Sequence, residues 1–478
     1  MPDIAYAALL PEICLSVLAL ALLLLNFSVP EGGKGSIAGV AVAALVVAGI
    51  CMVPLWNHPV VTFAGSYAVD NFSLFFKTVF LVAAGLAILH SGAYLRQEGS
   101  EHGEYYALLL FATVGMMVMA SGRDLMVIYV GLELMSITFY ALVGLIRSRL
   151  TSNEAALKYF LLGAFSSGFL LYGFSLLYGL TGTTSIPGIH TFLAANPAAV
   201  GAPLVLAMVL VLIGLGFKLA LVPLHFWAPD VYQGAPTPVT GFLSVGSKAA
   251  AFAAVLRIFG SGLAGQGALW SELLTGLAVL TMIVGNLLAI QQSDIKRMLA
   301  YSSIAHAGYA MVGVVVGGVI GTSAVLFYML GYAFMNLGVF GVITALNRTE
   351  GEASSLDNFR GLAKLHPGLA LIMFVLLFSL AGIPPTAGFF GKFYIFMGAV
   401  RAGFVWLAVI GMLNSAVSAY YYLRVIMIMY MSEPAGEAQI LLSRPMTWSL
   451  AASVLGVFAL GLMPDAFLAL ARSSAIGF

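Results

Sequence analysis

Apolar runs of about 20 residues fill almost the whole chain, broken only by short polar or charged stretches, and each run is long enough to cross a hydrocarbon core of roughly 30 Å. Hydropathy places about fourteen such spans near 4–26, 36–56, 72–94, 104–121, 124–146, 155–181, 201–233, 237–259, 269–290, 295–318, 322–347, 366–400, 403–431 and 446–470. The pattern predicts an all-α polytopic membrane protein, one membrane domain over residues 1–478. Met1–Tyr6 carries Asp3 and no Lys or Arg, so the first run lacks the basic start of a cleaved signal peptide and reads as a retained helix. Two spans are longer than one crossing needs and contain breakers. The seventh holds Pro223 and Pro229; the twelfth holds Gly382, Pro384, Pro385 and Gly388. Irregular backbone at membrane depth survives only where protein or an internal cavity satisfies the freed polar groups.

The broken spans suggest an internal repeat. Helices 4–8 (104–259) and 9–13 (269–431) are two blocks of five, an odd count that inverts the second block in the membrane. Each block has its broken helix in fourth place, and each broken helix carries a lysine. Helices 1–3 (1–103) precede the blocks and helix 14 (446–470) follows them. Orientation follows from loop charge. With the N-terminus outside, the inner loops hold Lys34, Arg96, Arg147, Arg149, Lys296, Arg297, Arg348, Arg360, Lys364 and Arg444. The outer side holds only Arg123, Arg257, Arg401 and Arg472, which predicts both termini on the non-cytoplasmic face. The polar stretch from Asn347 to His366 reads as a surface loop with an amphipathic turn.

Composition narrows the chemistry. With 61% hydrophobic and 8% charged residues, every charge inside a span stands out. Net charge is +1, with no basic tract for nucleic acid. The 2 cysteines, Cys14 and Cys51, lie in apolar segments and form no CxxC or Cys/His cluster, so no iron–sulfur centre or structural zinc is expected on this chain. The chain is expected to carry no electrons itself.

Four ionisable residues sit inside apolar segments: Glu133, Lys218, Lys248 and Lys392. A charge at the centre of a spanning helix costs roughly 2.5–3.5 kcal/mol on insertion scales, and such groups usually line ion pathways or pair with one another. Glu133 lies near the middle of span five and must be neutral, paired or hydrated; its bland role is a carboxyl tying two helices. Lys218 sits at mid-depth beside the first break. Next to an ionised Glu133 the charged lysine is favoured; with that partner withdrawn, desolvation favours the neutral amine. Snorkelling to an interface is the alternative if the helix stops at Pro223. Lys248, near the centre of span eight, is too far from either end to snorkel well. Lys392 follows the second break, where a helix-end position facing an interface also stays open. His306 is mid-helix, and its ordinary pKa of about 6.5 suits a relay, with Tyr301, Ser302 and Ser303 beside it to order water. His225, after Pro223, and Lys158, early in span six, are secondary candidates. Arg424 reads as a fixed countercharge. Glu12 and Lys77 lie near span ends and read as local structure. Together these residues form a row of titratable groups along the membrane plane, and the 53 glycines leave room for close packing and internal water.

The segment from Asp294 to Tyr309 (Asp-Ile-Lys-Arg-Met-Leu-Ala-Tyr-Ser-Ser-Ile-Ala-His-Ala-Gly-Tyr) resembles a signature of the antiporter-like subunits of respiratory complex I. That family is shared with Mrp-type cation/proton antiporters and membrane-bound hydrogenases. The run from Phe217 to Asp230 and the following Ala-Pro-Thr-Pro-Val resemble its broken seventh helix. The opening Leu-Leu-Pro-Glu-Ile and His306-Ala-Gly-Tyr resemble the smallest of three paralogues. Lys392 stands where the M-type paralogue carries an acid, and the long lateral helix of the L-type paralogue is missing. The resemblance covers essentially all 478 residues.

It implies a pair of Glu133 with Lys218, a central Lys248, and Lys392 at the exit side. It also implies a proton-translocating subunit of NADH–quinone oxidoreductase, with FMN, iron–sulfur clusters and quinone on other subunits. The M-type paralogue would lie on one side, small K- and J-type subunits on the other, within a bacterial inner (plasma) membrane. The alternatives are a component of an Mrp-type cation/proton antiporter or hydrogenase-linked pump, and, further off, a small-solute carrier.

Overall fold

The computed structural model describes residues 5–29, 35–346, 354–434 and 440–477. Its helices are α1 (Leu10–Ser28), α2 (Gly35–Met52), α3 (Asn71–Gln97), α4 (Gly103–Ser121), α5 (Leu125–Val143), α6 (Leu150–Thr181), α7 (Ile186–Ala195) and α8 (Ala202–Leu219). Then come α9 (Trp227–Gly234), α10 (Thr237–Gly262), α11 (Gly267–Ile290), α12 (Ile295–Val316) and α13 (Gly318–Ala345). The chain closes with α14 (Pro367–Ala381), α15 (Ala387–Arg401), α16 (Val405–Met431), α17 (Arg444–Leu462) and α18 (Pro464–Ser474). Among the described residues, 13 helices are long and apolar enough to cross a membrane. The α14–α15 pair, two helices of 15 residues each, stands where the broken twelfth span was expected. A hairpin of Val60–Thr62 with Tyr67–Val69 joins α2 to α3.

Burial separates centre from rim. Helix α10 is buried from Thr237 to Phe259, and α12 and α13 nearly throughout, whereas α1, α2 and α16 keep long apolar faces exposed. An outward face of Leu, Val, Phe and Met is what a helix against lipid tails presents, because no polar backbone group can remain unpaired there.

The same local joint occurs twice, with the same spacing. A Cβ at Gly115 of α4 would lie 2.6 Å from Met135 N and 2.8 Å from Gly131 O of α5. A Cβ at Gly285 of α11 would lie 2.7 Å from Ala305 N and 3.0 Å from Tyr301 O of α12. A side chain at either glycine would collide with backbone, so the small residue sets the close crossing. At the start of α5, Asp124 bridges Ser185; at the start of α12, Asp294 bridges Ser355. In both, the aspartate caps its helix and accepts a hydroxyl from across the bridge, Thr184 or Ser354.

The two breaks also correspond. Helix α8 ends at Ala220, in the left-handed region (φ 56), and α14 ends at Gly382 (φ 88). Leu221 N returns to Gly216 O, and Ile383 N to Phe378 O. The X–Pro bonds 222–223 and 384–385 are both cis. In the first break the freed groups find side chains. The Trp227 indole donates to Phe217 O (2.9 Å), and Thr281 Oγ1 accepts from Val222 N (3.0 Å). This is the internal satisfaction that irregular backbone at membrane depth demands.

Several boundaries differ from the hydropathy reading. Span seven breaks at 220–226, and Pro229 is no breaker: it lies in the first turn of α9, where a missing N–H costs nothing. Helix α6 starts at Leu150, earlier than the polar Ser-Asn-Glu suggested. The expected span 446–470 is divided at Met463, with Pro464 opening α18. The short α7 is apolar on one face only, too short to register as a span. Of the expected loop 347–366, residues 347–353 lie outside the described residues; the rest holds a 3-10 turn at Leu356–Phe359 and a helical turn at Leu362–Leu365. Asp3, Lys34 and Arg348, used for the first-run and orientation readings, also lie outside them.

Candidate functional site

Lys218 sits on the last turn of α8, just before the chain leaves helical geometry, and is buried. Its ammonium lies over three rings: Tyr140 (5.4 Å), Tyr159 (5.4 Å) and Phe217 (5.6 Å). It donates to the Tyr140 hydroxyl at 3.5 Å. Trp227, across the break, stacks on Tyr159 (4.7 Å) and Phe217 (5.1 Å) and closes the box. The snorkelling alternative does not hold, because the break folds back over the lysine. No ion pair within 4.0 Å joins Lys218 to a carboxylate among the described residues. Glu133, half-buried on α5, has its Oε1 buried without a hydrogen-bond partner among the described residues.

Lys248 occupies the centre of the molecule. It follows a π turn at Leu243–Ser247, which widens α10 where the lysine emerges. Its ammonium donates to Ser303 O and Ser303 Oγ, both at 2.6 Å. Ser303 is a hub: the Tyr332 hydroxyl donates to its Oγ at 2.9 Å, and Tyr232 OH lies at 3.4 Å. One turn on, His306 holds Tyr328 OH with Nδ1 (2.6 Å) and Tyr422 OH with Nε2 (3.0 Å), and Tyr422 reaches Ser302 Oγ at 2.5 Å. The Tyr332 ring lies 5.1 Å from that imidazole. Lys248 and His306 thus belong to one belt of hydroxyls drawn from α9, α10, α12, α13 and α16.

Lys392 ends the row. From α15 it reaches back over the second break and donates to Leu380 O (3.0 Å), Ala381 O (3.0 Å) and Ser415 Oγ (2.9 Å), with Tyr309 beneath it at 5.0 Å. It therefore caps the C-terminus of α14, where a cation meets the negative end of the helix dipole. A cavity of about 450 Å³ lined by Phe389, Phe393, Met412 and Ser415 opens beside it.

Residues 122–418, more than half the chain and all of this row, match the family described as "NADH:quinone oxidoreductase/Mrp antiporter, TM". The chain belongs to this family. It is 50% identical over 467 residues to an NADH-quinone oxidoreductase subunit N of Trichlorobacter lovleyi, covering 98% of this chain and 96% of that one. A chain of respiratory complex I from Thermus thermophilus, solved with bound aureothin, superposes with a TM-score of 0.83 at 37% identity, over 97% of this chain and 99% of its own. A chain of the Mrp complex from Dietzia sp. DQ12-45-1b shares the fold, with a TM-score of 0.84 at 23% identity over 99% and 97% of the two chains.

The remaining candidates of this antiporter-family chain fall into place around the row. Lys158 is not buried in it: its ammonium pairs with Glu154 (2.6 Å) and with Asp230 of α9 (3.0 Å), and Asp230 also takes Arg297 of α12 (2.7 Å). His225 lies half-buried in the first break, with Nδ1 lacking a hydrogen-bond partner among the described residues. Ser302 and Ser303 face inward as expected, whereas Tyr301 lies outside the belt, half-buried, with its carbonyl against Gly285. Arg424 donates to Ile290 O and Gln292 O, capping α11 instead of meeting a carboxylate.

Glu12 and Lys77 do serve structure, as a buried ion pair at 2.6 Å that also takes the Tyr67 hydroxyl. A second buried pair escaped the sequence reading. Arg257, at the end of α10, forks onto Asp70 with two 2.8 Å bonds and onto Ala120 O. Burial works to raise the Asp70 carboxyl, but the guanidinium, together with the Ser73 amide and hydroxyl, holds it below the usual carboxylate range. The tyrosines around these residues were also missed: Tyr140 and Tyr159 at Lys218, and Tyr232, Tyr328, Tyr332 and Tyr422 in the belt. Tyrosine is common at helix surfaces, and only the fold shows that these gather in two groups.

Proposed function

We propose that this chain is a proton-translocating, antiporter-like subunit in the membrane arm of NADH–quinone oxidoreductase, and that protons move along the row Glu133, Lys218, Lys248, His306 and Lys392. The observation that carries the reading is Lys248. It is a buried lysine bonded to Ser303, whose Oγ also takes the Tyr332 hydroxyl; the Tyr332 ring lies against the His306 imidazole, which holds Tyr422, and Tyr422 reaches Ser302. Hydroxyls and neutral imidazole both donate and accept, so a belt of them passes a proton without holding a net charge in low dielectric.

Between Lys218 and Lys248 the line is less complete. Tyr159 OH and Ser247 Oγ are buried there without partners among the described residues, and internal water is the group that would join them. Lys218, with no carboxylate in contact, is poised to respond to the distance of Glu133: an ion pair would hold its proton and a withdrawn carboxylate would release it.

The recurring glycine joints, Asp bridges and breaks support a duplication of the two five-helix blocks, with the second inverted. On this reading Lys218 and Lys392 mark opposite ends of one path. The arginine-rich loops lie at the cytoplasmic face of a bacterial inner membrane and both termini lie opposite. An M-type paralogue on one flank, with K- and J-type subunits on the other, would extend the row. Flavin, iron–sulfur clusters and quinone would be held by other subunits.

Replacing Lys218 or Lys248 by Ala in the assembled complex is expected to lower NADH-driven proton pumping and the coupled quinone reduction, with a milder effect for Lys218→Arg, which keeps charge but does not readily lose it. Wild-type stoichiometry in both alanine variants, read from acidification of closed vesicles, overturns the path. A subunit inventory of the purified complex separates this reading from an Mrp-type assembly: flavin and iron–sulfur polypeptides belong to the first alone.

A further inference from the structure

We propose that Tyr140 is the gate through which a vestibule at the arginine-rich end of the bundle exchanges protons with Lys218; this rests on the proton row proposed above. A cavity of about 900 Å³ opens to solution between the ends of α3 and α5 and the starts of α4 and α6. Its lining mixes apolar residues such as Leu108 and Leu145 with Glu98, His102, Glu104, Arg147, Asn153 and Tyr140. Glu98 is fixed there by Arg149 at 2.6 Å. Tyr140 has two faces. It lines this cavity, and its hydroxyl lies 3.5 Å from the Lys218 ammonium, beside the box of Tyr159, Phe217 and Trp227. Among the described lining residues it alone carries a polar atom in contact with Lys218.

The ring is held on edge against Tyr159 (4.9 Å) and Phe160 (5.6 Å). The space for its hydroxyl exists because residue 163 of α6 is glycine; a Cβ there would run into the Tyr140 hydroxyl. An aromatic wall with one hydroxyl passes protons and excludes larger hydrated cations. When Lys218 is neutral, the phenol donates its proton to the amine as its oxygen takes one from protonated solvent in the vestibule, which is left as neutral water. The O–H bond lost to nitrogen is replaced in the same step, and no charge remains on the ring. When Lys218 is charged, the ammonium donates to the phenol oxygen and the route is closed.

The test is Tyr140→Phe in the complete complex in closed vesicles, measured beside Lys218→Ala. A positioned proton-transfer group typically contributes roughly a hundredfold or more, and solvent in the vestibule can replace part of it, so a loss of about tenfold in coupled pumping is expected. The deficit should widen toward alkaline pH, where protons are scarce, and shrink on acidification. An assembled Tyr140→Phe complex with the wild-type rate and pH profile, beside an impaired Lys218→Ala, overturns the gate while the row stands. If Lys218→Ala is itself unimpaired, the row has failed instead.

Should Tyr140→Phe not assemble, the exposed rim residue Ser148 gives a second route. Ser148→Cys, labelled in the assembled complex with a charged methanethiosulfonate and compared with the wild-type complex treated alike, in which this chain has only Cys14 and Cys51, should lose pumping on labelling and regain it on reduction. Full labelling with unchanged pumping overturns the proposal.

Discussion

Two lysines that look alike in the sequence do different work. Lys392 satisfies two buried carbonyls at a helix end, whereas Lys218 touches aromatic faces and one hydroxyl. Leaving a buried acceptor unsatisfied costs about 1–3 kcal/mol. Lys392→Ala is therefore expected to lower the thermal stability of the solubilised complex more than Lys218→Ala; equal losses would mean that the carbonyl contacts are incidental. Asp70 and Arg257 form a different kind of buried charge. Removing one partner of such a pair strands the other, at a cost of roughly 3–5 kcal/mol, so Arg257→Ala should reduce the amount of assembled chain sharply. Because Asp70 is held below its ordinary range in the fold, its contribution is complete above that range. It is lost as pH falls through the folded value, so the difference in melting temperature between wild type and Arg257→Ala should shrink on acidification.

At the scale of elements, the breaks depend on single residues. Gly382 adopts φ 88, and a Cβ there would lie 3.0 Å from Lys392 Cδ and 3.3 Å from its ammonium. Gly382→Ala adds a left-handed penalty of roughly 1–2 kcal/mol and pushes the lysine off its carbonyls. Reduced pumping with the chain still assembled is the expected result, read from vesicle acidification; an unaffected variant would show that the lysine's seat tolerates movement. Ala220, at the matching position, already bears that conformation with a side chain, because the groups it adjoins are held by Trp227 and Thr281. The proline and glycine breakers were legible in the sequence. That Pro229 opens a helix instead of ending one was not, since proline has the same signature in both roles.

Across the whole molecule, the two blocks meet at α9. Asp230 binds Lys158 of the first block and Arg297 of the second, while Lys296 donates to Gln233 O (2.7 Å) and Ala235 O (2.8 Å) at its end. The pairs are partly exposed, so their effect on global stability should be small. Asp230→Asn is expected to speed amide exchange in Trp227–Gly234 with little change in melting, and unchanged exchange would mean that packing alone holds the helix. The same cluster explains Lys158. Its place in span six was visible, but its partners lie on two distant segments that only the fold brings together.

Hydropathy by itself determined the class of this protein, its approximate count of crossings, and that Glu133, Lys218, Lys248 and Lys392 lie within them. Each follows from one fact that needs no tertiary information: a helix rises about 1.5 Å per residue through a medium that penalises every unpaired polar group. What the tertiary structure alone decided is which groups face each charge. Lys248 meets Ser303, Arg257 meets Asp70, and Tyr140 meets Lys218. These pairs join distant points of the chain, and hydrogen bonds between such points leave no periodicity to read. The row of titratable residues was in the sequence; the belt of tyrosines and serines that links its members was made by packing.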